Sequence, residues 1–265
     1  MWWSDASIKD MQELSGIMSL LLHDAESPPF VLKREVIPAG RVLRVYDPEK
    51  GRFHLYKTSE DTITMALRDT STPTLWMNDT PMETTSMIPA IAGAHGKVLT
   101  SGLGIGLFVA LIAKKPSVRS ITVVEREQKI IDLVYPQIKG LFRIPFEVVC
   151  GDIYHYLKHV NKEYDFIFID IWPGFLAPIK EMDSLKALAE KRLAPGGEVR
   201  VWLQELVERV KGKLPSGPVP ASKFSLYREP CLICGKVLRN DYAGLCMDCA
   251  DSLKLSELFI RRKDG

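Results

Sequence analysis

Long apolar runs are missing from this chain of 265 residues. None reaches the roughly 18 uninterrupted apolar residues that a membrane-crossing helix needs, so no membrane role is expected. The first residues lack the basic start and apolar stretch of a secretory leader, because Asp5, Asp10 and Glu13 break them up. A cytoplasmic protein is expected. Net charge is scarce as well. Lys and Arg number 35 against 33 Asp and Glu, a balance of +2, too small to mark the whole chain as a nucleic-acid binder. Cysteine is sparse: of five, four stand in two Cys-x-x-Cys pairs near the end. That excludes a secreted disulfide framework and points to a metal. Internal repeats and low-complexity segments are absent.

What is present falls into segments. Ile8, Met11, Leu14, Met18 and Leu21 recur at helical spacing and predict an amphipathic helix over Ser7–His23, with Ser7 and Asp10 as a capping box and Pro28-Pro29 beyond its end. From Phe30 the pattern turns to short runs rich in Val, Ile, Thr and aromatics, each bounded by Pro, Gly or Asp. They are 30–37, 41–47, 52–57, 62–69 and 74–79, and they predict a small antiparallel β segment.

Between Lys97 and Trp202 strand and helix alternate. Strands are expected at 97–101, 120–125, 146–150, 164–170 and 196–202, helices at 105–114, 128–135, 153–159 and 179–193. The strands are short and nearly all apolar, as strands covered on both faces must be. The fold class is therefore α/β, a doubly wound, mostly parallel sheet. The chain divides into an N-terminal helix (1–29), a small β domain with a lid segment (30–90), a cofactor-binding core (91–211), a Pro/Gly/Ser-rich linker (212–229) and a small metal module (230–265).

The core's first strand runs into Ser101-Gly102-Leu103-Gly104-Ile105-Gly106. Glycine tolerates positive φ and lets a ligand approach the backbone. A packing turn without a ligand is the other reading of the same residues. Three acids bear on the choice. Glu125 ends the second strand about 20 residues on, where an acid takes ribose hydroxyls. Asp152, before Ile153, follows the third strand and suits an adenine amine. Asp170 ends the fourth strand at the carboxyl edge of the sheet, where ligands bind. Each acid alone also reads as a helix cap.

With "VLTSGLGIG", "VVE", "CGDIYHYL" and "LAPGGEVRVW" in this order, Lys97 to Trp202, about two fifths of the chain, resembles a class I, Rossmann-like S-adenosylmethionine (SAM)-dependent methyltransferase. The resemblance implies that SAM is held by Ser101, Gly102, Leu103, Gly104, Gly106, Glu125, Arg126, Asp152, Ile153 and Asp170. It further implies that Asp170 and Trp172 line the reaction site. The family's acid before the glycine turn is absent; Thr100 and Ser101 stand there. The β segment followed by the core is similar to the layout of spermidine synthases, with "TLWMNDTPMETTSMIPAI" at the place of the segment that closes over their substrate. Their strand-four motif carries two acids, whereas Asp170-Ile171-Trp172-Pro173 keeps only the first. That run also resembles the Asn/Asp-Pro-Pro-aromatic loop of amino-methyltransferases, with the aromatic one position early. Three functions follow: a SAM-dependent methyltransferase with an undetermined acceptor, a cofactor-binding scaffold without chemistry, and an aminopropyltransferase.

Cys231, Cys234, Cys246 and Cys249 present four thiolates, the ligand set of structural Zn²⁺. Gly235 after the second cysteine eases the knuckle turn. So small a module has little core of its own, so the metal supplies its stability. From Arg209 onward eleven Lys and Arg face six Asp and Glu. Arg228, Lys236, Arg239 and Lys254 suit phosphates or a solvated surface equally. The tail is compatible with a nucleic-acid or protein partner, and the layout with a homodimer. Cys150, ending a strand, is expected in the core. His155 and His159 share a helix face and are expected in solvent.

Overall fold

The structure is a computed structural model that describes residues 15–48, 52–72, 74–172 and 176–211. Six strands build the first half: β1 (Ala25–Ser27), β2 (Phe30–Ile37), β3 (Val42–Asp47), β4 (Arg52–Lys57), β5 (Thr62–Asp69) and β6 (Thr74–Asn78). Antiparallel pairing gives a sheet of order β1-β2-β5-β6 and a separate β3-β4 hairpin. The five expected strands are present to within a residue. β1 was not expected; it is three residues long, too short to show alternation, and it folds onto β2 around Pro28-Pro29.

The helix expected over Ser7–His23 is corrected in its described part. Residues 1–14 lie outside the described residues. Met18–Leu20 is a single 3₁₀ turn entered from Gly16 at φ +70°. The Met18 amide, which an α-helix would bond four residues back, donates instead to Asp79 Oδ2 at 2.7 Å. The apolar pattern still buries Met18 and Leu22 completely. Asp79 anchors this turn to the sheet. It is fully buried, and it also accepts from Thr64 Oγ1 at 2.5 Å and from the Met65 amide at 2.8 Å.

Five strands form the second sheet: β7 (Gly96–Ser101), β8 (Val118–Glu125), β9 (Phe146–Cys150), β10 (Tyr164–Ile169) and β11 (Leu193–Val201). All pair in parallel, in the order β11-β10-β7-β8-β9. Strand order therefore reverses between β7 and β10, and the crevice at that point is where open α/β sheets bind ligands. The helices are α1 (Pro81–Ser86), α2 (Ile88–Gly93), α3 (Leu107–Ile112), α4 (Gln128–Ile138), α5 (Ile153–His159), α6 (Leu176–Glu190) and α7 (Gln204–Lys211).

Several boundaries differ from expectation. α3 is short, because Gly106 in the left-handed region delays its start to Leu107. α4 runs on through Pro136. β11 takes in Ala194–Gly197, with a register shift against β10. β9 is an edge strand and only half covered, so Cys150 is exposed and not in the core. Among the described residues no helix is long and apolar enough to cross a membrane.

The segment expected as a lid is tied down at two points. The Tyr46 amide donates to Thr85 Oγ1 at 2.9 Å, and Trp202 Nε1 donates to Ser86 Oγ at 2.8 Å. Trp202 follows β11. α1 therefore spans from the β3-β4 hairpin to the carboxyl edge of the parallel sheet.

Candidate functional site

The glycine turn connects β7 to α3. The Gly102 amide donates to Val124 O at 2.9 Å, and the Gly106 amide closes onto Leu103 O at 2.8 Å. Gly102 sits at φ +82°, where a Cβ would meet the Asp170 carbonyl oxygen at 2.5 Å. Gly104, at φ +51°, lies against Met77 of β6, whose Sδ occupies the space a Cβ would need. A side chain at either place is excluded twice, by backbone conformation and by contact. The turn is thus pressed between β10 and the end of the small sheet.

Glu125 holds this turn in place. Its Oε2 accepts from the Leu103 amide at 2.7 Å and its Oε1 from the Glu127 amide at 2.9 Å. It is 6% exposed. Glu125→Ala is expected to lower stability by about 1–3 kcal/mol, the scale for buried donors left unpaired, and to weaken binding of S-adenosylhomocysteine (SAH). Urea melts and SAH titration check this together. An unchanged melt removes the bracing role, and unchanged affinity removes the ribose role.

Asp152 caps α5, its Oδ1 accepting from the His155 amide at 2.9 Å, and it is exposed. The cap reading is thus realised, with its second oxygen left for a ligand. Ile153 beside it is buried. The Gly151 amide bonds Glu125 O at 2.9 Å, which brings the two acids to adjacent strand ends. Arg126 is exposed and pairs with Glu127 at 3.2 Å.

Asp170 leaves the end of β10. Its amide donates to Ser101 Oγ at 3.2 Å, tying the fourth strand to the glycine turn. Burial pushes its carboxyl up to about 7. A second acid, Glu83 in the first turn of α1, is pushed up to about 8 by burial and then by the charge of Asp170. Both are partly exposed. Glu83 is the site residue that sequence reasoning missed. The signal available was an acid inside the segment expected as a lid; the influence of Asp170 on it arises only in the folded chain. Trp172 is 7% exposed and donates through Nε1 to Glu181 Oε2 at 3.1 Å, an oxygen that Tyr154 also reaches at 3.1 Å. Its indole is anchored on α6.

Ser101, Gly102, Leu103, Gly104, Gly106, Glu125 and Asp170 thus converge at the β7/β10 reversal, with Asp152 and Ile153 one strand end away. Cys231, Cys234, Cys246 and Cys249, with the linker and basic tail, lie outside the described residues. Among the described residues no three His, Cys, Asp or Glu are grouped to hold a metal. His155 and His159 are exposed, their ring centroids 4.2 Å apart.

No family model and no curated protein matches the chain. Its structural neighbours include SAM-dependent methyltransferases. One, from Clostridium acetobutylicum ATCC 824, is 13% identical over 44% of this chain and 48% of its own, with a TM-score of 0.35. A SAM-bound amino pentose methyltransferase of calicheamicin biosynthesis, from Micromonospora echinaspora, is 20% identical over 43% of this chain and 45% of its own, with a TM-score of 0.33. A spermidine synthase in complex with the transition state analogue AdoDATO is 15% identical over 72% of this chain and 62% of its own, with a TM-score of 0.43. The chain spans less than two thirds of the length of each. At these identities and TM-scores the likenesses carry no weight in assigning a function.

Proposed function

We propose that this chain is a SAM-dependent methyltransferase. The observation that carries the reading is the convergence, at the reversal point of a parallel sheet, of a glycine-rich turn, the Glu125 carboxylate bracing it and Asp170 tied to it through its backbone. These residues fit the cofactor. Gly102 and Gly104 give the turn its left-handed backbone and let it pack closely against Asp170 and Met77. Each Glu125 oxygen accepts one amide and has a second lone pair for a ribose hydroxyl. The second Asp152 oxygen and apolar Ile153 suit an adenine. SAM bound there supplies an electrophilic methyl group. Asp170 then orients the acceptor nucleophile and takes its proton. Trp172 walls the site from α6.

Aminopropyl transfer is the second reading, and one observation favours it. Glu83, on which the charge of Asp170 acts, is read as the substitute for the acid missing from the strand-four motif. A scaffold role rests on Thr100 and Ser101 in place of the acid before the glycine turn. Calorimetry with SAM, SAH and decarboxylated SAM separates methyl from aminopropyl transfer, and turnover of labelled SAM separates either from a scaffold. Binding of SAM and SAH with rejection of the decarboxylated form supports methyl transfer, and the reverse order supports aminopropyl transfer. Failure of all three to bind ends both.

The cysteine tail is proposed as a structural zinc module, with nucleic acid or protein as partner for its basic residues. Freshly purified, reduced protein is expected to hold about one zinc per chain. Cys231→Ser or Cys249→Ser is expected to lose the metal and leave SAH binding intact. Elemental analysis that finds no stoichiometric metal overturns this.

A further inference from the structure

The amino edge of the parallel sheet carries polar residues that methyl transfer does not use. Parallel strands covered on both faces are apolar throughout as a rule. One face departs from that rule here. The register pairs Lys97 with Ser120 and Thr122 with Glu147, and alternate residues of a strand share a face. Four polar side chains therefore stand in a row across β7, β8 and β9. They line a cavity of about 940 Å³, a volume that suits a small-molecule ligand. Lys97 stands near the start of β7 and the glycine turn follows its end. The cavity thus lies about 13 Å along the strand from the turn, on the opposite edge of the sheet.

Much of its wall is set by internal bonds. Thr122, 6% exposed, donates through Oγ1 to Glu147 Oε1 at 2.9 Å, and the same oxygen takes Lys162 Nζ at 2.9 Å. Arg192 donates through Nε to Leu157 O at 2.6 Å and through Nη2 to Lys158 O at 2.9 Å. The end of α5 thereby fixes the guanidinium, and its Nη1 is left without a partner among the described residues. Groups held in place in advance lower the ordering cost of binding.

The charges define the ligand. Lys97, Lys162, Lys191 and Arg192 line the cavity against Glu147 and Glu163, a balance of +2. Asp165, beside Tyr164, is engaged outside this set by Arg119 and the Lys97 amide. Lys97 and Lys191 are exposed, and neither ammonium has a carboxylate partner among the described residues. A phosphate monoester, with nearly two negative charges at neutral pH, matches that balance. The two carboxylates and Ser120 disfavour a bare anion but accept hydroxyls well. The sheet order separates the two functions. Lys191 and Arg192 lead into β11 and Lys97 opens β7, whereas Glu147 stands on β9, two strand spacings or about 10 Å beyond Lys97. A pentose phosphate bridges that distance.

We propose that this cavity is a second ligand site, for a small phosphorylated polyol. Lys97, Lys191 and Arg192 hold the phosphate, and Glu147, Glu163 and Ser120 take the hydroxyls. The site is independent of the cofactor site on the other edge.

Calorimetry on the full chain with ribose 5-phosphate, ribose and inorganic phosphate tests this. Ribose 5-phosphate is expected to bind about tenfold or more tighter than either of the others, the scale of one charge-assisted contact. Lys97→Glu and Lys191→Glu are each expected to weaken it about tenfold or more, and Lys33→Glu on the small sheet to leave it unchanged. Glu147→Gln is expected to weaken ribose 5-phosphate several-fold without weakening inorganic phosphate. Saturating SAH is expected to leave the titration unaltered. No binding of ribose 5-phosphate in the millimolar range overturns the proposal, as does inorganic phosphate binding equally well, which makes the cavity a general anion patch. Affinity that survives both lysine substitutions, or displacement by SAH, overturns it too. If SAH itself fails to bind, the methyltransferase reading falls, and the ribose 5-phosphate titration with its variants still decides this site.

Discussion

Asp170→Asn is expected to lower turnover about 10²-fold or more, the scale of a lost general base, while SAH binding stays near the wild-type value. The substitution keeps the side chain's shape. It also keeps the Asp170 amide on Ser101 Oγ and the carbonyl against Gly102, since both are backbone groups. What it removes is a charge that burial has made basic enough to take a proton near neutrality. Turnover is read with labelled SAM against an acceptor found by screening tRNA, DNA, protein extract and small polar metabolites. Loss of SAH binding in a folded variant places Asp170 in the cofactor pocket instead. Wild-type turnover removes it from the chemistry and leaves Glu83 as the acid to test.

The pH behaviour follows from the same two groups, and rate and stability move in opposite directions. Turnover that needs ionised Asp170 rises as pH passes through about 7, and Asp170→Asn flattens that limb. The folded chain binds protons on Asp170 and Glu83 more tightly than the unfolded chain does, where carboxyls titrate near 4. Their contribution to stability is therefore full below about 4 and is lost as pH rises through about 7 and 8. Melts across this range in the wild type and in Asp170→Asn check the sign.

Much of this fold was legible because the relevant forces are local. Strands β2, β5 and β9 begin and end where their apolar runs meet Pro, Gly or Asp. The glycine turn and Glu125 were legible because strand order and spacing set which chain ends meet at the sheet edge. Features governed by distant partners were not. Cys150 looked like a core residue because its run is apolar, but whether a strand lies at a sheet edge depends on the order of all five strands. The turn at Met18–Leu20 has an α-helical apolar pattern, yet its amide bonds a carboxylate 61 residues away. Glu83 comes under the charge of Asp170 only in the folded chain, where α1 is fixed to Trp202 and Tyr46. Glu125 shows a further limit: its position pointed to a ligand, while both its oxygens also hold backbone amides.

Asp79→Ala is expected to cause the largest loss of stability, about 3 kcal/mol or more, since several buried donors lose their acceptor at once. The carboxylate is fully buried and takes three short bonds, from the Met18 amide, the Met65 amide and Thr64 Oγ1. Alanine leaves all three donors in an apolar surround, where each unpaired group costs about 1–3 kcal/mol before water or local movement relieves it. Asn fares little better, because its amide turns a donor toward one of these donors. In a chain of this size the loss corresponds to a fall in Tm of roughly 6–12 °C. Glu26→Ala, on the exposed β1 strand, is the control and is expected to stay within about 0.5 kcal/mol. The effect also reaches the site. Asp79 stands between β6, whose Met77 packs on Gly104, and α1, which carries Glu83. Loosening it frees both walls of the cleft, so SAH affinity falls along with stability. A melt within about 0.5 kcal/mol of wild type shows that the 3₁₀ turn and the small sheet hold together without this carboxylate. A large loss of stability with unchanged SAH affinity shows instead that α1 keeps its place through Trp202 and Tyr46 alone.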